Sequence, residues 1–244
     1  PGLSYKRFGL RGASGDTQST AFAEPLPTGD EITLENMHYR LVIDARRGCA
    51  VSWRDKALDR ELIAADEWGL GQLVQASGGE GTRLISNHAS LPAGDPQLTG
   101  AFRLMQWETL GDTLGERVRL IGKLPQGALD VEWELPRHDR RVDLTFTWHK
   151  DAQLALEAAY VAFPLDLPGA RVRSDAQLGW VDWSRDRLPG ACVEWLPLQS
   201  SILLDGDGAS VFIASPDVPL FCVGDVVRGR WLRDADLTGG RIFS

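Results

Sequence analysis

An all-β fold, a large sandwich of antiparallel strands, is predicted by three features of the chain. Apolar residues recur at every second position through most of it, the apolar runs are short, and Gly, Pro and Asp punctuate them. Runs of this kind suit strands that are half-buried against a second layer. At 244 residues the chain can bury roughly 70% of its unfolded surface, so a sizeable core forms without staples.

Residues 1–30 come first and do not share the pattern. RGASGDTQSTAFAEPLPTGD (11–30) is rich in Gly, Ser, Thr and Pro and predicts a linker or loosely attached arm. Alternation begins at Ile32, which sets the β domain at 31–244. In ENMHYRLVIDARRGCAVSWRDK (35–56), Met37, Tyr39, Leu41 and Ile43 share one face, and His38, Arg40 and Asp44 the other. Gly48 supplies a turn, after which Cys49, Val51 and Trp53 share a face against Ser52 and Arg54. A hairpin is expected, with His38 and Asp44 toward water.

FRLMQWETL (102–110) and GERVRLIGKL (115–124) form another hairpin across Gly111, Asp112 and Thr113. The clearest hairpin is 127–149. Leu129, Val131, Trp133 and Leu135 point inward from its first strand, and Val142, Leu144, Phe146 and Trp148 from its second, with PRHD (136–139) as the turn. KDAQLALEAA (150–159) is the one helix-like window, short enough to be a turn leading into YVAFP. YVAFPL, WLPLQSSILL, ASVFIAS and VPLFCVGDVV read as further strands, and no internal repeat is visible.

Composition narrows the function. A formal net charge of −8 argues against nucleic acid as a partner, and no apolar run approaches the ~20 residues that span a bilayer. The first residues lack the layout of a signal peptide, and a start at Pro1 points to a piece of a longer chain. Cys49, Cys192 and Cys222 are odd in number and widely spaced, so buried free thiols in a cytoplasmic protein are expected.

Motifs for catalysis are missing. His38, His88, His138 and His149 show no metal-binding spacing, and there is no GxSxG elbow. GASGD (12–16) and GGEGT (78–82) read as loops. Glu132 and Glu134 lie on a predicted outward face, and Asp66-Glu67 before Trp68 in a loop that could also line a pocket. No catalytic residue and no metal ligand is assigned. Nine tryptophans against three tyrosines is the unusual count, and indole stacks well on the apolar face of a sugar. AQLGWVDWSRDRLPG (176–190) gathers Trp180, Trp183, Asp186 and Arg187, which together have the parts of a carbohydrate site. The other reading of the segment puts both tryptophans in the core with the charges paired on the surface. GDVVRGRW (224–231), with Asp225, Arg228 and Trp231, is a second such cluster.

LENMHYRLVIDARRGCAVSWRDKALDREL resembles the opening of the C-terminal β domain of glycoside hydrolase family 38, the α-mannosidase family. The matching residues are Leu34, Glu35, Asn36, Gly48, Asp55, Lys56, Glu61 and Leu62. LEAAYVAFPLDLPGARVR and SPDVPLFCVGD are similar to later strands of that domain, in the same order. The resemblance implies a large antiparallel β-supersandwich of the galactose mutarotase-like kind. It also implies a preceding α/β catalytic domain that holds zinc and the nucleophile, and further strands after Ser244. This chain would then be a non-catalytic domain without a cofactor of its own. Its partners would be its own N-terminal catalytic domain and carbohydrate, with neither nucleic acid nor membrane. Two rival expectations are an aldose 1-epimerase-like enzyme using His88 and His149, and a purely structural scaffold.

Overall fold

The computed structural model of the chain describes residues 31–65, 68–77, 97–98, 100–154, 157–177, 179–186, 188, 196–225, 230–231 and 241–243. Among them every regular element is a strand. β1 (Glu31–Glu35), β2 (Tyr39–Asp44), β3 (Cys49–Asp55) and β4 (Arg60–Glu61) form one antiparallel sheet in chain order. β5 (Leu73–Ser77) and β6 (Gln97–Leu98) pair with each other. β7 (Arg103–Gly111), β8 (Gly115–Leu124), β9 (Gly127–Pro136) and β10 (Asp143–Lys150) form a second meander.

β11 (Glu157–Pro164) returns to pair with β5. There follow β12 (Arg171–Ala176), β13 (Gly179–Asp182), β14 (Leu196–Pro197), β15 (Ser201–Gly206) and β16 (Ala209–Ala214). β17 (Leu220–Asp225), β18 (Arg230–Trp231) and β19 (Arg241–Phe243) complete the set. A third sheet has the order β13-β12-β15-β16. The fourth runs β14-β17-β19-β11-β5-β6, with β18 paired to β17. The all-β antiparallel expectation holds.

The local chemistry of the turns explains the hairpins. Asp44 Oδ1 accepts the backbone N–H of Arg46 (3.0 Å) and Arg47 (3.1 Å), and Gly48 closes the turn at φ +67°. Asp44 therefore shapes the hairpin. A bulge between Val42 and Ile43 makes Val51 an extra residue, since Val42 faces Ser52 while Ile43 faces Ala50. This corrects the expected alternation. Ala50 takes the inner position, and Cys49 is buried on the opposite face, against Gly69. Met37 is also corrected: it precedes β2 in a bend and is 65% exposed.

In the second meander Leu129, Val131, Trp133 and Leu135 are buried as expected. Leu144, Phe146 and Trp148 are only partly buried, because β10 is an edge strand. The connection between β9 and β10 runs over residues 137–142, longer than the PRHD turn expected. The helix-like window holds no helix among its described residues, and a strand starts at Glu157. Glu132 and Glu134 are engaged by Arg117 at 3.5 and 2.8 Å, beside Arg119 with Glu108 (3.5 Å) and Asp130 (2.5 Å). They belong to a cross-strand ladder of half-exposed charges, each pair contributing about 0.2–1 kcal/mol.

One apolar core draws on all four sheets. It joins Leu41 and Ile43, Leu120, Val131 and Trp133, Val172, Ile202 and Leu204, and Leu196 and Phe221. Gly71 (φ +69°) lets the chain pass against the Trp133 indole, where an added Cβ would sit 2.7 Å from the ring and 2.5 Å from Leu144. A smaller cluster, with Trp68, Val74, Tyr160 and Cys222, is separate from it. β17 is buried through Phe221, Cys222 and Val223 in succession, since Phe221 and Val223 enter one cluster and Cys222 the other. Cys49 and Cys222 are buried and neither is in a disulfide. No helix among the described residues is long and apolar enough to cross a membrane.

Polar hooks fix the entry to the domain. Asn36 Oδ1 accepts the N–H of His38 (2.8 Å) and Tyr39 (2.7 Å), while its Nδ2 donates to the carbonyls of Pro136 (2.6 Å) and Asp139 (3.2 Å). The first sheet is thereby stitched to the second. Lys56 donates to the Asn36 carbonyl (2.5 Å) and pairs with Glu35 (2.6 Å). Asp55 caps Ala57 and Leu58 with one oxygen and takes Arg140 (2.5 Å) on the other. Glu61 accepts the N–H groups of Trp53, Leu62 and Ile63 and the Ser52 hydroxyl. Asn36→Ala leaves two donors and two carbonyls short of a partner, so a loss of about 2–3 kcal/mol is expected in urea unfolding. Glu132→Gln, on the half-exposed ladder, is expected to cost under about 1 kcal/mol in the same measurement.

Candidate functional site

The third sheet turns one face to the core and the other to solvent. Val172 and Ser174 of β12, Ile202 and Leu204 of β15, and Ala209 and Val211 of β16 are buried. Register therefore places Arg171, Arg173 and Asp175, Leu203 and Asp205, and Ser210 and Phe212 on the outer face. Trp180 and Asp182 of β13 pair with Asp175 and Arg173 and join them.

Asp182 anchors the turn that follows β13. Its Oδ1 accepts the Ser184 N–H (3.0 Å) and hydroxyl (2.5 Å). Its Oδ2 takes the Arg171 guanidinium and Arg185 Nε (3.3 Å). Burial by itself pushes this carboxyl up, but the bonds from Ser184 and Arg171 outweigh it and bring the pKa down to about 2. Asp175 behaves alike. Burial raises it, and the Ser200 hydroxyl with the N–H groups of Ser200, Ser201 and Gln199 holds it well below the usual carboxylate range. Both aspartates are structural anchors that stay ionised, unsuited to general acid work.

The residues singled out in 176–190 separate. Trp183 is packed into the core beside Phe221, ring centroids 6.3 Å apart, and its Nε1 donates to Ser174 Oγ at 2.9 Å. The ring is half-buried, because strand geometry ends at Asp182 and the turn swings it toward the core. Asp186 Oδ2 accepts the Asp182 N–H at 2.9 Å and closes the turn. Trp180 stays outside, 46% exposed. It meets Phe212, itself 58% exposed, edge-on with centroids 6.4 Å apart. Phe212, Arg173 and Asp205 were missed from sequence, although alternation in ASVFIAS already turns Phe212 outward.

Arg187 and Arg228 lie outside the described residues, as do the side chains of Asp225 and Trp231 and residues 1–30, Asp66, Glu67, 78–82, His88 and Cys192. Asp225 ends β17 with its Cα paired to Arg230. His149 is exposed on β10, while His38 Nε2 meets the His138 carbonyl at 3.2 Å. Among the described residues no group of three or more His, Cys, Asp or Glu is placed to hold a metal ion. Cys49 is no nucleophile, since burial pushes its thiol up to about 12.

A concavity of about 380 Å³ opens between β1 and β8, lined by Glu35, Met37, Glu116, Leu135, Arg137 and His138 among others. Glu116 accepts the Glu35 N–H at 2.7 Å, and Glu35 is held by Lys56. Its carboxylates are already in use. No family model matches the chain, and no curated protein matches it in sequence.

Asp182 yields a pH prediction. Its folded pKa of about 2 lies below the ordinary 3.8, so its stabilising effect is complete above about pH 4 and fades as pH falls toward 2. Asp182→Asn is expected to lower the urea midpoint at pH 7, with the gap to the parent protein narrowing between pH 4 and 2. A gap independent of pH would show that the carboxylate charge is not what anchors the turn.

Proposed function

We propose that this chain is a non-catalytic, carbohydrate-associated β domain of a glycoside hydrolase family 38-like, α-mannosidase-like protein, of the galactose mutarotase-like supersandwich type. In this reading it packs on a zinc-dependent catalytic domain of the same protein and lends a wall to its sugar site. The parent protein works in the cytoplasm, in keeping with Cys49 and Cys222 being outside any disulfide.

One observation carries the reading. The residues of the first matching segment are not generic hairpin filler, for Asn36, Asp55, Lys56 and Glu61 each make a specific contact in building the β1–β4 sheet. The later matching segments fall, in order, on β11 to β12 and on β17. An all-β scaffold with this set of hooks suits a domain whose role is to present surfaces. The described side chains do not fit zinc: His38 and His138 meet only through a backbone carbonyl. In this reading zinc belongs to the catalytic domain, and no step of hydrolysis is assigned to the described residues.

Two experiments test this. The reading frame upstream of Pro1 is expected to encode an α/β segment with zinc-ligating His and Asp, and a frame that opens immediately before Pro1 would overturn the domain assignment. The purified 244-residue chain, supplied with zinc, is expected to release no nitrophenol from 4-nitrophenyl α-mannoside above the buffer rate and to leave aldose mutarotation unchanged in polarimetry. Turnover in either assay would make the chain an enzyme in its own right.

A further inference from the structure

We infer that the outer face of the β13-β12-β15-β16 sheet is a glycan-binding surface, in which Trp180 and Phe212 stack on a neutral hexopyranose while Asp205, Ser210 and Arg173 hold its hydroxyls. The inference stands on the chemistry of this face and does not require the domain assignment above.

The aromatic pair is unusual in its placement. Trp180 is on β13 and Phe212 on β16, with β12 and β15 between them. Neighbouring strands are about 4.8 Å apart, so the two backbones are separated by roughly 14 Å. Ring centroids 6.4 Å apart therefore require both side chains to lean inward across the intervening strands, over the row that holds Arg173 and Leu203. The rings meet at 72°, which makes a corner with two apolar walls. A pyranose offers C–H groups on its ring face and hydroxyls around its rim, and a corner of this kind takes the first while polar neighbours take the second.

The polar neighbours are held in place. Asp205 Oδ2 accepts from Arg173 at 3.0 Å and Oδ1 from the Ser210 hydroxyl at 2.7 Å. Each carboxylate oxygen has a second lone pair, and Asp205 remains 44% exposed, so acceptor capacity is left for a ligand. Asp205 and Ser210 oppose each other one row along from Leu203 and Phe212, about 7 Å away, which suits the width of a sugar ring with its substituents. The Arg173 guanidinium reaches Asp205 through Nη2 from the neighbouring row, while its Nε is buried beneath the face. The guanidinium and carboxylate groups are paired, Arg171 with Asp182 and Arg173 with Asp205. The face has hydroxyl-binding groups without a strong field of one sign, which favours a neutral ligand over a phosphate or a uronate.

Size decides against a protein partner. At the exposures given, the two rings offer roughly 200 Å² of apolar surface. A stable protein interface buries about 800 Å² per partner, whereas a single sugar ring is covered by far less.

Saturation-transfer NMR of the full chain with methyl α-mannoside, methyl β-glucoside, methyl β-galactoside and a mannotriose tests the assignment. The expected result is transfer to ring C–H protons of at least one of them, and binding at least tenfold weaker in Trp180→Ala and in Asp205→Asn. Phe212→Ala is expected to weaken it several-fold, and Trp180→Phe to retain it. Because both rings are exposed, urea midpoints of the Trp180 and Phe212 variants should match the parent, which separates lost binding from lost fold. Absence of transfer from all four glycans overturns the inference, as does transfer undiminished in Trp180→Ala. Concentration-dependent self-association that Trp180→Ala abolishes would also overturn it and assign the rings to a second copy. None of these outcomes bears on the upstream reading frame, so failure here and failure of the domain assignment remain distinct.

Discussion

Register against a single shared core constrains everything else in this molecule. Strands from four sheets send alternate side chains into one apolar volume around Trp133, Leu120, Ile202 and Phe221. Slipping any strand by one residue would turn its whole inner set outward, which costs roughly 1.5–3 kcal/mol for each large side chain exposed. Extra residues are tolerated only where a bulge absorbs them, at Val51 in β3 and at Met105 in β7. With the inner faces committed, function has to be sought on the outer ones.

That constraint explains why so many acidic residues do structural work. Asp44, Asp55, Glu61, Asp112, Asp175 and Asp182 each accept hydrogen bonds from backbone N–H groups of nearby turns or strand ends. Many short strands mean many chain reversals, and each reversal leaves N–H donors outside the ladders that need an acceptor. The net charge of the chain is negative partly for this reason, and the abundance of carboxylates carries little information about catalysis. The same need for polar partners at chain reversals accounts for the hooks of the first sheet. Asn36, Asp55, Lys56 and Glu61 shape the start of the fold without presenting a reactive group to solvent.

Hairpins were legible in the sequence because two signals coincide in them, a period of two and a turn residue at the right offset. Residues 39–55, 103–124 and 127–150 are cases of this. The bulge at Val51 leaves no such signal, so strict alternation puts Cys49 on the wrong face. The sheet that joins β5 to β11 and β17 to β19 was not legible at all, since its pairs are far apart in sequence and alternation says nothing about which strands become neighbours. Trp180 and Trp183 looked equivalent on paper. A strand that ends at Asp182 separates them, sending one ring to the core and leaving the other in solvent. Phe212 is legible in the sequence: Val211 and Ile213 turn inward, and an aromatic ring in the outward position between them breaks the polar rule for that face.

The two solvent-facing surfaces of the second and third sheets make the point by contrast. On the second, Arg117 and Arg119 answer Glu132, Glu134, Glu108 and Asp130, and the exposed apolar side chains of β7, Met105 and Leu110, are aliphatic. On the third, the charges are answered in the same way, by Arg171 with Asp182 and Arg173 with Asp205, yet two aromatic rings stand open among them. Apart from their edge-on contact with each other, the exposed parts of these rings contribute little to the folded state, and their apolar area leaves water only when something covers it. A ligand that is apolar on one side and hydroxylated at its edge is the kind of molecule that satisfies the rings and the paired charges together.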